Sequence, residues 1–163
     1  MQEQELIYRP IGIIHSPHTI PSKTPIQPVF SKGIRGTVIL YPEYVDGLLD
    51  LEEFSHIFLI YHFHRSPGMK LRLCPYLEDA EHGIFAIRAP HRPNPIGSSV
   101  VRLCGIEDNI LTIEDVDILD GTPLLDIKPY VARFDSREDV RSGWQDQVSE
   151  SQAQIRGKRD FSN

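Results

Sequence analysis

Prolines at 90, 93 and 95 and a glycine at 97 make residues 88–99 (RAPHRPNPIGSS) the stretch that most restricts what this chain can fold into. Proline lacks a backbone N–H, fixes φ and pushes the preceding residue out of the α region, so no helix runs through these residues and little backbone freedom remains. Arg88, His91, Arg92, Asn94, Ser98 and Ser99 place hydrogen-bonding groups, mostly donors, on a loop whose conformational entropy is already reduced. An ordinary loop of this kind would be a rigid connection with solvated charges. Here strand-like patterns flank it, residues 84–87 before and 100–104 after, and binding residues concentrate on loops mounted on such scaffolds. The functional reading is preferred.

The bulk of the sequence suits a single domain: 163 residues, 40% of them hydrophobic, are enough for one genuine core but not two. No apolar run approaches the roughly 20 residues needed to cross a bilayer, and the first five residues are polar and acidic, so neither a signal peptide nor a membrane association is expected and a cytoplasmic location is. Cys74 and Cys104 form neither a metal-ligand spacing nor a disulfide framework; their apolar context predicts buried free thiols. The net charge of -6 argues against non-specific affinity for nucleic acid.

Along the chain, residues 6–14 read as a strand interrupted by Pro10, hence an edge or bulged one. Residues 19–34, with prolines at 21, 25 and 28, form a long connection of the kind that often binds ligands. Residues 36–41 read as a strand, residues 42–53 as a short helix, and residues 54–64 (FSHIFLIYHFH), apolar on both faces, as a central strand. Short strands are expected at 71–74 and 84–88, and a hairpin at 100–106 and 110–116 around Glu107, Asp108 and Asn109. A turn at 117–123 leads to a further apolar run at 124–127. The expected fold is mostly β: a small antiparallel β-barrel or sandwich with one or two short helices. Residues 1–140 would form the domain and residues 141–163 a polar C-terminal tail, either a peripheral helix or disordered.

Seven histidines raise the question of a metal, with His56, His62 and His64 at alternating positions of one strand. No HExxH motif, cysteine cluster or well-spaced carboxylate accompanies them, so no metal is expected and His62 reads as a core or interface histidine. A GxSxG elbow, a Walker loop and a Rossmann GxGxxG are all missing from the sequence. The second constellation is residues 117–130 (DILDGTPLLDIKPY), where Asp120-Gly121 is a turn dipeptide whose glycine lets a ligand approach the backbone. Asp117 and Asp120, three apart, either bond their own backbone or face one cationic or ribose-bearing ligand. Beside a rigid loop of Arg, His and Asn, the second option gains weight, because a ligand with a carboxylate and hydroxyls needs both donors and acceptors.

Together the motifs RAPHRPNPIG (88–97) and LDGTPLLDIKPY (119–130) resemble the TrmO-like (TsaA-like) family of tRNA N6-threonylcarbamoyladenosine methyltransferases, a resemblance that covers residues 6–135. It implies a small β-barrel unlike the Rossmann methyltransferases, S-adenosyl-L-methionine as cofactor, a homodimer, and methylation of N6 of threonylcarbamoyladenosine beside the anticodon in tRNA. By motif, the implied cofactor contacts are Pro25, Ile26 and Gln27; His64 and Arg65; Arg88 and Ser98; and Leu119, Asp120, Gly121 and Thr122. Arg65 or Arg88 would pair with the methionine carboxylate, and Asp120 would take ribose hydroxyls or the adenine edge. Asp117, His91 and Tyr130 are the candidate bases or orienters, and on a dimer Arg92, Arg102, Lys128 and Arg133 could gather on one face for tRNA. Two other readings keep the cofactor: a methyltransferase of a small molecule or protein, and a binding module without turnover.

Overall fold

Alternation of apolar residues dominates the architecture. The computed structural model describes residues 4–159, so the ends of the chain at 1–3 and 160–163, including the last part of the expected tail, lie outside the described residues. Eight strands are present among the described residues: β1 (Gly12–His15), β2 (Arg35–Leu40), β3 (His56–His62), β4 (Arg72–Leu73), β5 (His82–Gly83), β6 (Ile96–Glu107), β7 (Ile110–Glu114) and β8 (Thr122–Pro129). Six of them close into an antiparallel barrel in the order β1-β2-β7-β6-β3-β8, while β4 and β5 form a separate two-stranded ribbon. The expected small antiparallel barrel is therefore the observed fold. Residues Ile57, Leu59 and Tyr61 of β3, Val101 and Leu103 of β6 and Leu111 and Ile113 of β7 alternate inward and fill it. Each such buried aliphatic side chain is worth about 1.5–3 kcal/mol of burial.

Bulges bend the strands enough to close the ring. The register shifts between Ile60 and Tyr61 against β8 and between Leu103 and Gly105 against β7. In the ring, β7 and β8 stand diametrically opposite, so the connection between them must cross one open end of the barrel. Val116, Asp117 and Ile118 of that crossing are buried and plug the end. Beyond the barrel lie a short helix α1 (Ala132–Asp135) and a nine-residue helix α2 (Glu150–Lys158). No helix among the described residues is long and apolar enough to cross a membrane.

Several local expectations are corrected. β1 begins only at Gly12, after Pro10, and is paired on both sides, so it is not an edge. Residues 42–53 form two 3₁₀ segments (Pro42–Leu48 and Leu51–Glu53) rather than an α-helix, because Asp50 between them takes φ 64° and breaks the path. The stretch Ile84–Ala86 is a 3₁₀ turn, not a strand. Its Ile84 and the following Ile87 are both buried, a spacing of three rather than two, and Arg92 Nη1 donates to the carbonyls of Ile84 (3.0 Å) and Ile87 (2.6 Å), which a strand would have paired with a neighbour. Both cysteines are free, as expected, but exposed: Cys104 follows inward-facing Leu103 and so points outward at the bulge.

Gly97 shows how tightly the barrel is filled. A Cβ there would overlap the Tyr61 ring and lie 2.8 Å from Phe63 Cζ. Those two rings meet edge to face at 5.4 Å and have no room to retreat. Gly97→Ala is expected to cost about 1–3 kcal/mol, measured as a lowered denaturation midpoint with an unchanged slope.

Candidate functional site

The polar residues singled out by sequence gather at the plugged end. Antiparallel pairing brings the end of β1, the end of β3, the start of β6 and the start of β8 to the same rim: Ile14 faces Thr122, and His62 faces Ile96. The proline-rich loop lies over this rim because Phe63 N donates to Pro95 O (2.7 Å) and Ser66 Oγ to Pro90 O (2.8 Å). Gln27 reaches it from the long connection and accepts a hydrogen bond from Arg88 Nη1 at 2.9 Å. Arg65 Nη1 donates to Thr19 O at 3.4 Å, tying the end of β3 to the same connection.

Asp120 is held by the turn after β1. Its Oδ1 accepts from the Ser16 amide at 3.1 Å and lies 3.0 Å from His15 Nδ1, and its own amide donates to His18 O at 2.7 Å. The amide bond from Ser16, then the contact with His15, holds this carboxyl below the usual range, so it is ionised while 40% exposed. Gly121 follows with φ 76°, the left-handed conformation that the turn dipeptide requires. Ser16 Oγ donates to Ile118 O (2.5 Å) and His18 Nε2 to Val116 O (2.8 Å), so the crossing is laced to β1 along its length.

The hydroxyl of Thr122, itself buried, donates to Leu119 O at 2.6 Å and lies 3.3 Å from His64 Nδ1. Its one proton is spent on the carbonyl, so Nδ1 of His64 must carry hydrogen and Nε2 keeps its lone pair. Burial, then Arg65 and His62, lowers the His64 pKa and keeps the ring neutral.

Beneath the rim, Asp117 ends a directed chain. Tyr61 Oη and Ser99 Oγ are 3.0 Å apart, and Ser99 Oγ donates to Asp117 Oδ1 at 2.7 Å, which leaves Tyr61 as the donor to Ser99. Burial raises the Asp117 carboxyl to about 7, against the opposing pull of the Ser99 hydrogen bond and of Arg88. Burial also raises the Tyr61 phenol, which stays protonated.

Asp117 and Asp120 therefore do not face one ligand together; one is bonded inside the barrel and the other at the rim. Tyr130 packs at a tilt against Phe58, ring centroids 5.8 Å apart, and its amide donates to His56 O, at the far end of β8, about 25 Å of strand from Thr122. Ser98 alternates with buried Gly97 and Ser99 and so stands on the outer wall of β6 opposite Ile60. His91 lies along the loop, its carbonyl accepting from the Lys70 amide at 3.1 Å and its ring pKa lowered by burial and Lys70. Arg92 is occupied with Ile84 and Ile87, and Lys128 pairs with Asp126. No group of three His, Cys, Asp or Glu side chains among the described residues is arranged to hold a metal. Tyr61 and His15 were not singled out by sequence reasoning, and Ser99 was read only as a loop donor, because their partners are set by strand register and by the β7–β8 crossing.

The rim groups border a space called the cup. A hollow of about 280 Å³ adjoins it, sharing His64 and lined by Phe63, Met69 and Arg92; a larger one of about 410 Å³ lies at the opposite end, around Leu48 and Phe54. The cup offers cationic forks in Arg65 and Arg88, an ionised carboxylate in Asp120 and a neutral imidazole in His64, donors and acceptors suited to a ligand bearing both a carboxylate and hydroxyls.

Comparison with known proteins accords with this chemistry. The sequence pattern of the family described as tRNA-methyltransferase O N-terminal domain matches residues 13–136. A probable S-adenosyl-L-methionine-binding protein of Pyrococcus abyssi is 63% identical over 139 residues, 85% of this chain and 76% of that protein. The human tRNA (adenine(37)-N6)-methyltransferase is 34% identical over 149 residues, 86% of this chain and 33% of the human protein. The crystal structure of TrmO from Pseudomonas aeruginosa matches with a TM-score of 0.76 at 40% identity, covering 90% of this chain and 65% of that one. The chain thus spans slightly less than two thirds of that solved structure and a third of the human protein. With three quarters of its length inside the matched pattern and the same barrel beneath it, the chain belongs to the tRNA-methyltransferase O family.

Proposed function

We propose that this chain binds S-adenosyl-L-methionine in the cup and methylates N6 of threonylcarbamoyladenosine beside the anticodon of tRNA, working as a cytoplasmic homodimer. Family membership supports the coarser part, an S-adenosylmethionine-dependent tRNA methyltransferase. The observation that carries the site is the convergence of Gln27, His64, Arg65, Arg88 and the 119–122 turn on one rim, held by hydrogen bonds that leave little to reorganise.

The residues present fit that cofactor. Arg88 or Arg65 suits a carboxylate through a planar fork, and ionised Asp120 suits ribose hydroxyls. S-adenosylmethionine supplies an electrophilic sulfonium methyl, which passes to the acceptor nitrogen as the S–CH₃ bond breaks and S-adenosylhomocysteine leaves. In-line displacement of this kind depends on positioning, which the stiff rim provides. The acceptor N6 must lose its proton. His64 Nε2, neutral and held by Thr122, is the rim group best prepared to accept it, whereas Asp117 is spent on Ser99 and Tyr130 stands at the far end of the same chain. Ser98, on the outer wall of β6, lies outside this reading of the cup.

Incubating the protein with tRNA carrying threonylcarbamoyladenosine and labelled S-adenosylmethionine, then analysing nucleosides by mass spectrometry, tests the proposal. Label is expected in that nucleoside. Label only in a protein or small molecule, or binding without transfer, would replace it with the corresponding alternative.

A further inference from the structure

The matched domain pattern stops at residue 136, yet the chain continues into a segment that returns to the site. It consists of a 3₁₀ turn (Gly143–Gln147) and helix α2. At one end it grips the connection that carries Gln27. The Ile26 amide donates to Gly157 O at 3.0 Å, Arg159 Nη1 donates to Thr24 O at 3.3 Å, and Gly157 packs so closely on Phe30 that a Cβ would lie 2.5 Å from Cδ2 of the ring. At the other end it grips the approach to Arg88. Trp144 stacks on His82 at 4.9 Å and donates from Nε1 to Ala86 O at 2.8 Å. Between the two grips, Gln152 Nε2 donates to Leu77 O (2.7 Å), Arg156 pairs with Asp79 (3.0 Å), and the Arg159 guanidinium covers the Tyr76 ring at 3.9 Å.

We propose that residues 143–159 are a strap that sets the Gln27–Arg88 pair, and through it the affinity of the cup for its S-adenosyl ligand. The inference rests on the reading of the cup given above. Ile26 immediately precedes Gln27, and Ala86 stands two residues before Arg88, so the strap holds both partners of the 2.9 Å hydrogen bond from behind. A nine-residue polar helix has too few turns to be stable alone, so α2 exists by virtue of what it grips. Coupling of this kind is reciprocal: a ligand that fixes Gln27 and Arg88 must also steady α2.

The test uses the full chain with Arg159→Ala, Arg159→Lys and Gly157→Ala. Calorimetry with S-adenosylmethionine gives the affinity, hydrogen exchange gives the order of residues 24–30 and 150–158, and thermal denaturation gives stability. Arg159→Ala and Gly157→Ala are expected to weaken binding about tenfold and to speed exchange at 24–30, with Arg159→Lys restoring much of both. In the wild type, ligand is expected to slow exchange in α2. The Cβ at 157 must push the Phe30 ring aside, so a purely structural helix would lose stability there and leave affinity alone. That result overturns the proposal, as does faster exchange at 24–30 with affinity unchanged. Should Gly157→Ala fail to fold, the Arg159 pair decides. A wild-type chain that binds no S-adenosylmethionine overturns the functional reading and the affinity half of the inference, whereas exchange at 24–30 in Arg159→Ala still decides whether the strap holds the loop.

Discussion

Replacing Asp117 with asparagine is expected to remove a fall in stability that the native chain undergoes as pH rises from about 4 to about 7. The sign follows from where the proton sits. Below the ordinary carboxyl value of 3.8 both folded and unfolded chains hold it, and burial costs nothing extra. Above that value the unfolded carboxyl ionises into water, while the buried one keeps its proton until about 7. Each pH unit in that window takes about 1.4 kcal/mol from the folded state, or about 4 kcal/mol in all, and above it the curve is level. Asparagine cannot ionise but retains an acceptor for Ser99 Oγ, so the Tyr61–Ser99 chain keeps its end point. Urea denaturation of both proteins at pH 4, 5.5 and 7.5 checks this as a difference, in which titrations common to the two cancel. The variant is expected to be no more stable at pH 4 and clearly more stable at pH 7.5. Parallel curves would mean that Asp117 is hydrated in solution. An alanine at 117 is the contrasting control: it cannot ionise either, but it strands the buried Ser99 hydroxyl and should lie below asparagine at every pH.

A carboxyl placed where it weakens the fold at neutral pH points to a role other than holding the barrel together. Arg88 eases its ionisation against the effect of burial, and Arg88 is also the fork that reaches Gln27 at the rim.

Strand positions were legible from short apolar runs: Leu111 and Ile113 in β7 recur at a period of two, whereas β3, apolar on both faces, was marked as a central strand without showing which face is buried. The rim loops were legible because proline and the Asp-Gly pair carry their backbone geometry in their own covalent structure. What depends on register was not. Ser99 becomes the partner of Tyr61 and Asp117 only because β6 runs beside β3 with Leu59 facing Ser99, and because the β7–β8 crossing passes overhead. The turn Ile84–Ala86 was read as a strand since IFAI is strongly β-forming, but Arg92 takes its carbonyls and tertiary structure overrides propensity. Helix α2 and Trp144 gave little local signal, because a polar segment that owes its order to distant partners looks like a solvated tail.

The largest effect on ligand affinity is expected from Arg88→Ala. A planar guanidinium held by Gln27 presents its remaining N–H groups as a fork, and loss of a charge-assisted pair with a carboxylate costs about 2–3 kcal/mol, a weakening of roughly 30- to 150-fold in Kd. Arg88→Lys keeps the charge but not the fork, so it should fall between the two. Affinity alone would not show which part of the ligand Arg88 holds. Methylthioadenosine, the same nucleoside without the amino-acid arm, separates the cases: its binding should be nearly the same in wild type and Arg88→Ala, because it has no carboxylate to lose. If the substitution weakens both ligands equally, Arg88 shapes the rim rather than the carboxylate contact. The carboxylate then falls to Arg65, whose guanidinium holds the Thr19 carbonyl by a longer contact and is freer to turn toward a ligand. The pair of ligands and the pair of substitutions thus assign the orientation of the nucleoside in the cup without a bound structure, since the adenine end must lie away from whichever fork reads the acid.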